Sequence, residues 1–158
     1  MIVTITSTAF QAGQPMPRRY TGEGEDVSPP LAWSVPVGAK ELALICDDPD
    51  APRADPWVHW LLYGLAGDLT GIPENLPKGQ KKLTTPIHGA QGLNDFGRVG
   101  YGGPMPPRGH GVHHYHFRLY ALNAPLNLMP GSIKARLLEA MKGKVMVEGR
   151  LVGTYERK

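Results

Sequence analysis

At 158 residues, with 41% apolar and 20% charged side chains, the chain has the size and composition of one globular domain, 1–158, with room for a real core. A net charge of +3 is too slight to mark a nucleic-acid binder or a partner of acidic membranes. The single cysteine, Cys46, excludes a disulfide within the chain, and no apolar run approaches the roughly 18 residues of a membrane-spanning helix.

With 20 glycines, 16 prolines and no low-complexity repeat, many turns and long ordered loops are expected, which predicts a β-rich fold. Ile2–Thr6 alternates and is rich in β-branched residues, as a first strand would be. The N-terminal stretch lacks both a basic segment and a long apolar core, so it does not read as a secretory signal, and a cytoplasmic protein is expected. Residues 11–40 are turn-rich, with Leu31–Trp33 as a short strand between turns. Glu41–Cys46 is a nearly continuous apolar run, the pattern of a buried strand, with Cys46 a small buried hydrophobe. Asp47, Asp48, Pro49, Asp50, Ala51 and Pro52 then predict its end. Val58–Leu65 reads as a second apolar strand, and residues 66–96 as loops with at most one short strand. His114–Leu122 is a further strand. Ser132 is placed to cap a helix over 133–142, with Ile133, Leu137, Leu138 and Met141 at helical spacing and Gly143 as its stop. Val145–Leu151 alternates again and continues towards Tyr155, giving six to eight strands and one helix.

The stretch from Gly100 to His116 places five glycines and three prolines in one loop that ends in a cluster of histidines. Such a loop is shaped by its backbone and is expected to leave N–H groups open to approach. Alternation puts His113, Tyr115, Phe117, Leu119 and Ala121 on one face and His114, His116, Arg118 and Tyr120 on the other. An imidazole and a phenol thus stand at the rim of the core. The same rule groups His59 with Leu61 and Tyr63, in a strand apolar on both faces, so His59 is buried and needs a partner. Asp48 or Asp50 is the candidate partner, and a carboxylate beside His59 or His113 would favour the charged imidazole. A histidinium next to open glycine N–H groups makes a seat for phosphate or carboxylate. Zinc is disfavoured because His113 and His114 point to opposite sides and the loop lacks a thiolate. None of the serines sits in a G-x-S-x-G elbow, which leaves an Asp–His base without a nucleophile as the only enzymatic reading.

The stretches SPPLAW (28–33), DDPDAP (47–52), WVHW (57–60) and GYGGPMPPRGHGVHHYHFRLYAL (100–122) resemble the phosphatidylethanolamine-binding protein family, in particular its bacterial Raf-kinase-inhibitor-like branch. The resemblance covers nearly the whole chain, in the family's order. It implies a Greek-key antiparallel β-sandwich with one helix towards the C-terminus and a pocket for small anions such as phosphate head groups. Carried over by motif, the ligand-binding residues are Asp48, Asp50, His59, Pro106, Pro107, His113 and Tyr115, with Trp57 near the mouth. The family's crowding of prolines makes Ala51–Pro52 and Asp55–Pro56 candidates for cis bonds. Two positions depart from the pattern: His114 stands where the family often has Arg, and Met105 where many bacterial members have Cys. The long C-terminal helix by which eukaryotic members gate the pocket has no counterpart in this sequence, so kinase regulation is not carried over. The reading is therefore a non-catalytic binding protein for a small anionic or phosphorylated ligand, with no cofactor, no metal and no nucleic acid, and with a homodimer plausible from the bacterial relatives. The alternatives are an interaction protein that inhibits a protease or kinase, and a hydrolase using an Asp–His base.

Overall fold

A computed structural model describes residues 3–158, so the Ile2 end of the expected first strand lies outside the described residues. Nine strands and one α-helix follow in the order β1 (Ile5–Thr6), β2 (Leu31–Trp33), β3 (Glu41–Asp48), β4 (Trp57–Ala66), β5 (Gly71–Ile72), β6 (Lys82–Leu83), β7 (Gly89–Gln91), β8 (His113–Leu122), α1 (Lys134–Met141) and β9 (Val145–Tyr155). They form a three-stranded sheet, β1-β2-β5, and a six-stranded sheet, β6-β7-β4-β3-β8-β9. Every pairing between strands is antiparallel. The chain leaves β4, passes through β5–β7 and returns β8 to the side of β3, the Greek-key path expected.

The main core lies between the sheets. Ile5, Leu31, Trp33 and Ile72 of the small sheet pack with Leu42, Leu44, Trp60, Leu62, Phe117 and Leu119 of the large one. The opposite face of the large sheet, with Ala43, Ile45, Leu61 and Tyr63, is covered by Leu137 and Met141 of α1. β3 is thus buried on both faces at all eight positions, which is why its sequence reads as a continuous apolar run rather than an alternation.

Four sequence expectations need correction. β3 does not stop at Cys46; Asp47 and Asp48 still pair with Val58 and Trp57 of β4. Their carboxylates are tolerated because each has a partner: Lys134 Nζ lies 2.9 Å from Asp47, and His113 lies 2.6 Å from Asp48. The stretch 66–96 carries three very short strands rather than one at most. Ser132 does not cap α1: its hydroxyl donates to the Met129 carbonyl (2.6 Å), and the N-cap position is Ile133, whose side chain has no polar group. Gly143, at φ +74°, does end the helix in the left-handed conformation that glycine tolerates. The cis bond is Thr85–Pro86, and neither Ala51–Pro52 nor Asp55–Pro56 is cis.

Candidate functional site

β3 and β8 run side by side with Asp47 opposite His116, so the end of β3 and the start of β8 meet at one end of the large sheet. There Asp48 and His113 form a buried pair. His113 Nδ1–H donates to Asp48 Oδ2 at 2.6 Å, with the two side chains only 2% and 5% exposed. The other Asp48 oxygen accepts the Asp50 amide N–H at 2.8 Å, which fixes the carboxylate at the head of the proline turn. The second nitrogen of His113, Nε2, lies 2.6 Å from Nδ1 of His110, an exposed residue of the glycine–proline loop. Both nitrogens of His113 are therefore engaged by protein.

His59 arrives by a different route. Cys46 pairs with Trp60 and Asp47 with Val58, so His59 is an extra residue in β4, the defining feature of a β-bulge. The bulge breaks the alternation that would have grouped His59 with Leu61 and Tyr63. Instead its ring meets Tyr115 edge-on at 5.1 Å and Phe96 at 5.4 Å. The expected carboxylate partner is not there either. His59 Nδ1–H donates to the Gly102 carbonyl (2.6 Å), and the Gly102 N–H returns a bond to the His59 carbonyl (2.9 Å). Burial lowers the pKa of His59, outweighing the Gly102 bond and the nearby aspartates, so the ring is held neutral with its proton on Nδ1. Its Nε2 has no protein partner among the described residues.

The glycine–proline loop is pinned across this end of the sandwich. Gly103 N–H donates to Asp26 (2.7 Å), Gly22 N–H to the Pro104 carbonyl (2.9 Å), and the Tyr101 hydroxyl to the Tyr20 carbonyl (2.6 Å). The loop's amides are thus consumed internally at Gly100, Gly102, Gly103 and Gly109, which overturns the expectation of open glycine N–H groups at those positions. The glycines serve close approach instead: a Cβ at Gly103 would stand 2.4 Å from the Tyr20 carbonyl oxygen.

Together these elements enclose an open cavity of about 170 Å³, several times the ~30 Å³ share of one water. Asp48, Trp57, His59, Pro106, Pro107, His113 and Tyr115 line it, as does Met105 at the rim. Asp50 does not. It faces away and accepts both the backbone N–H and Nδ1 of the exposed His114, at 2.8 and 2.7 Å. Burial pushes the Asp50 carboxyl up, but the two bonds from His114 outweigh it and hold the group below its usual range. Three lining residues, Ala51, Pro52 and Phe96, were not anticipated. Phe96 packs edge-on against Trp57 at 5.4 Å, and Arg53 lies over the same indole at 4.6 Å. The available signal was an aromatic residue alone in an otherwise polar stretch, Asn94-Asp95-Phe96-Gly97.

Two donors on lining residues lack a protein acceptor among the described residues. The Trp57 indole Nε1–H is buried without one. The Tyr115 hydroxyl makes no hydrogen bond to the described residues, and burial followed by the Asp48 charge pushes its pKa up, so it keeps its proton.

Fold and cavity define a two-sheet antiparallel sandwich with a small pocket built from loops at one end. The chain belongs to the phosphatidylethanolamine-binding protein family, whose model matches residues 6–156. A UPF0098 protein of Pyrococcus horikoshii is 50% identical over 153 residues, covering 96% of this chain and 76% of that one. The crystal structure of a phosphatidylethanolamine-binding protein homolog from Chlamydia trachomatis superposes with a TM-score of 0.88 at 40% identity, covering 99% of both chains. A protein of Mycobacterium tuberculosis named as a candidate lipoprotein, LppC, is 42% identical over 154 residues, covering 98% of this chain and 72% of that one. No helix among the described residues is long and apolar enough to cross a membrane.

Proposed function

We propose that this cavity binds a small anion, a phosphate or a phosphorylated head group, and that the protein acts as a non-catalytic binding module. The observation that carries the reading is the Tyr115 hydroxyl, a donor on a lining residue that has no acceptor among the described residues. An oxygen-rich anion in the cavity would supply that acceptor, and a hydrogen bond to a charged group is worth about 1.5–3 kcal/mol. The flat faces of Trp57, Phe96, Pro106 and Pro107 would bound the ligand without contributing charge. The hydrolase reading loses the Asp–His59 pairing on which it rested, since Asp48 partners His113 and His59 Nδ1–H donates to Gly102. We propose a cytoplasmic location, and the relative named as a candidate lipoprotein supplies the competing reading, a domain tethered to a membrane surface.

The test is a calorimetric titration with inorganic phosphate and with phosphorylethanolamine on wild type and Tyr115→Phe. Because the hydroxyl has no hydrogen-bond partner among the described residues, the variant keeps its fold and melting temperature. It loses about tenfold or more in affinity, the worth of one hydrogen bond to a charged acceptor. Equal affinity in the two proteins would remove Tyr115 from the site. No saturable binding of either ligand to wild type would end the proposal.

A further inference from the structure

We propose that filling the cavity with an anion is coupled to uptake of a proton by the His110–His113 pair, and that His110 is the residue through which this proton arrives from solvent. The inference rests on the anion-binding reading above and adds to it a residue outside the cavity lining.

The argument begins with charge. Asp48 places a buried carboxylate in the lining, His59 is neutral, and Tyr115 keeps its proton. With both imidazoles of the His110–His113 pair neutral, the cavity is net negative, which opposes an anion. The hydrogen-bond pattern then fixes where a compensating proton can go. His113 Nδ1 carries a proton towards Asp48, and only one proton fits in the 2.6 Å contact between His113 Nε2 and His110 Nδ1. In the neutral pair that proton belongs to His110, whose Nε2 is then bare. A single added proton at His110 Nε2 makes the pair cationic, and the charge can pass inward as the shared proton shifts to His113 Nε2. Only N–H bonds form or break, and the proton comes from bulk solvent.

Geometry gives His110 the role of port. His113 is 2% exposed and has no free nitrogen, whereas His110 is exposed. Gly109 (φ +71°) and Gly111 (φ +91°) flank His110, with open space around the position of a Cβ at each. The elements packed around the pair carry other charged or titratable groups: Asp47, Asp48 and Asp50 from β3 and its turn, His59 from β4, His114 and Tyr115 from β8, and Tyr155 from β9 opposite His113. Arg108 and Arg157 approach from the loop and the C-terminal segment, with Glu23 between them. The arginines hold their charge throughout, the two tyrosines are pushed up, and Asp50 is held ionised. His114 is the remaining imidazole, and it is tied to Asp50 on the exposed face of β8.

The experiment is calorimetry with sodium sulfate, an anion with no proton to gain near neutrality, in buffers of differing ionisation enthalpy at about pH 7. Wild type takes up roughly half to one proton per sulfate bound. Uptake falls at least about twofold in His110→Ala and is retained in His114→Asn. As a second readout, the imidazole NMR titration midpoints of His110 and His113 rise together when sulfate saturates the site. Buffer-independent binding, full uptake in His110→Ala, or midpoints that sulfate does not move would overturn the coupling and leave anion binding standing. Absence of saturable sulfate and phosphate binding from about pH 5 to 8 would overturn the anion reading and the coupling with it.

Discussion

His59 donates Nδ1–H to the Gly102 carbonyl at 2.6 Å from a position 3% exposed, and that single bond sets its chemistry. It fixes the tautomer, leaves Nε2 as an acceptor, and lets burial rather than charge govern the ring. The folded-state pKa lies below the ordinary value of 6.5. As pH falls through the ordinary imidazole range, the unfolded chain takes a proton that the folded one refuses. The contribution of His59 to stability is therefore complete above about pH 6.5 and shrinks as the pH drops below it. In His59→Asn the amide Nδ2–H can still donate to Gly102, but nothing titrates. Denaturant midpoints should then fall less steeply between about pH 7 and 5 in the variant than in wild type. Equal slopes would mean that His59 is not held neutral. His113, by contrast, has a carboxylate on one nitrogen and a second imidazole on the other.

At the scale of elements, the bulge in β4 and the glycine–proline loop build the cavity jointly. The loop can lie this close only because Gly103 has no Cβ, which would meet the Tyr20 carbonyl oxygen at 2.4 Å. Gly103→Ala should cost about 1–3 kcal/mol in urea unfolding and loosen the cavity, since backbone rather than a flexible side chain must give way. An unchanged midpoint would show that the loop can lift without loss. The same two elements divide what was legible in the sequence from what was not. In β8 strict alternation holds, and it placed His113 and Tyr115 on the buried face correctly. In β4 the rule failed at His59, because a bulge inserts a residue without any change in composition. The extension of β3 through Asp47 and Asp48 was hidden for a related reason: their partners Lys134 and His113 lie 87 and 65 positions away. His110 was visible as one of a cluster, but no periodicity locates the side chain of a loop residue.

At the scale of the whole molecule, the cavity depends on segments from most of the chain. The Arg19 guanidinium and Tyr20 hydroxyl bond to Glu74, and Tyr101 to Tyr20. Tyr155 bonds to Glu23 (2.6 Å), and the Arg157 carbonyl and guanidinium hold the loop at Gly109 N–H (3.0 Å) and the Pro106 carbonyl (3.3 Å). A sandwich that fixes its loops so heavily offers a preformed pocket, which favours binding by lowering the ordering cost. The central claim is that an anion occupies this pocket, and the three indole N–H resonances test it in one spectrum. Trp33 donates to the Leu69 carbonyl (2.7 Å) and Trp60 to Gln91 (2.9 Å), both away from the cavity, whereas Trp57 lines it and its indole N–H has no acceptor among the described residues. On titration with inorganic phosphate, the Trp57 Nε1–H signal should shift and saturate while those of Trp33 and Trp60 stay in place. A Trp57 signal that does not move, or three signals that drift together without saturating, would contradict the account.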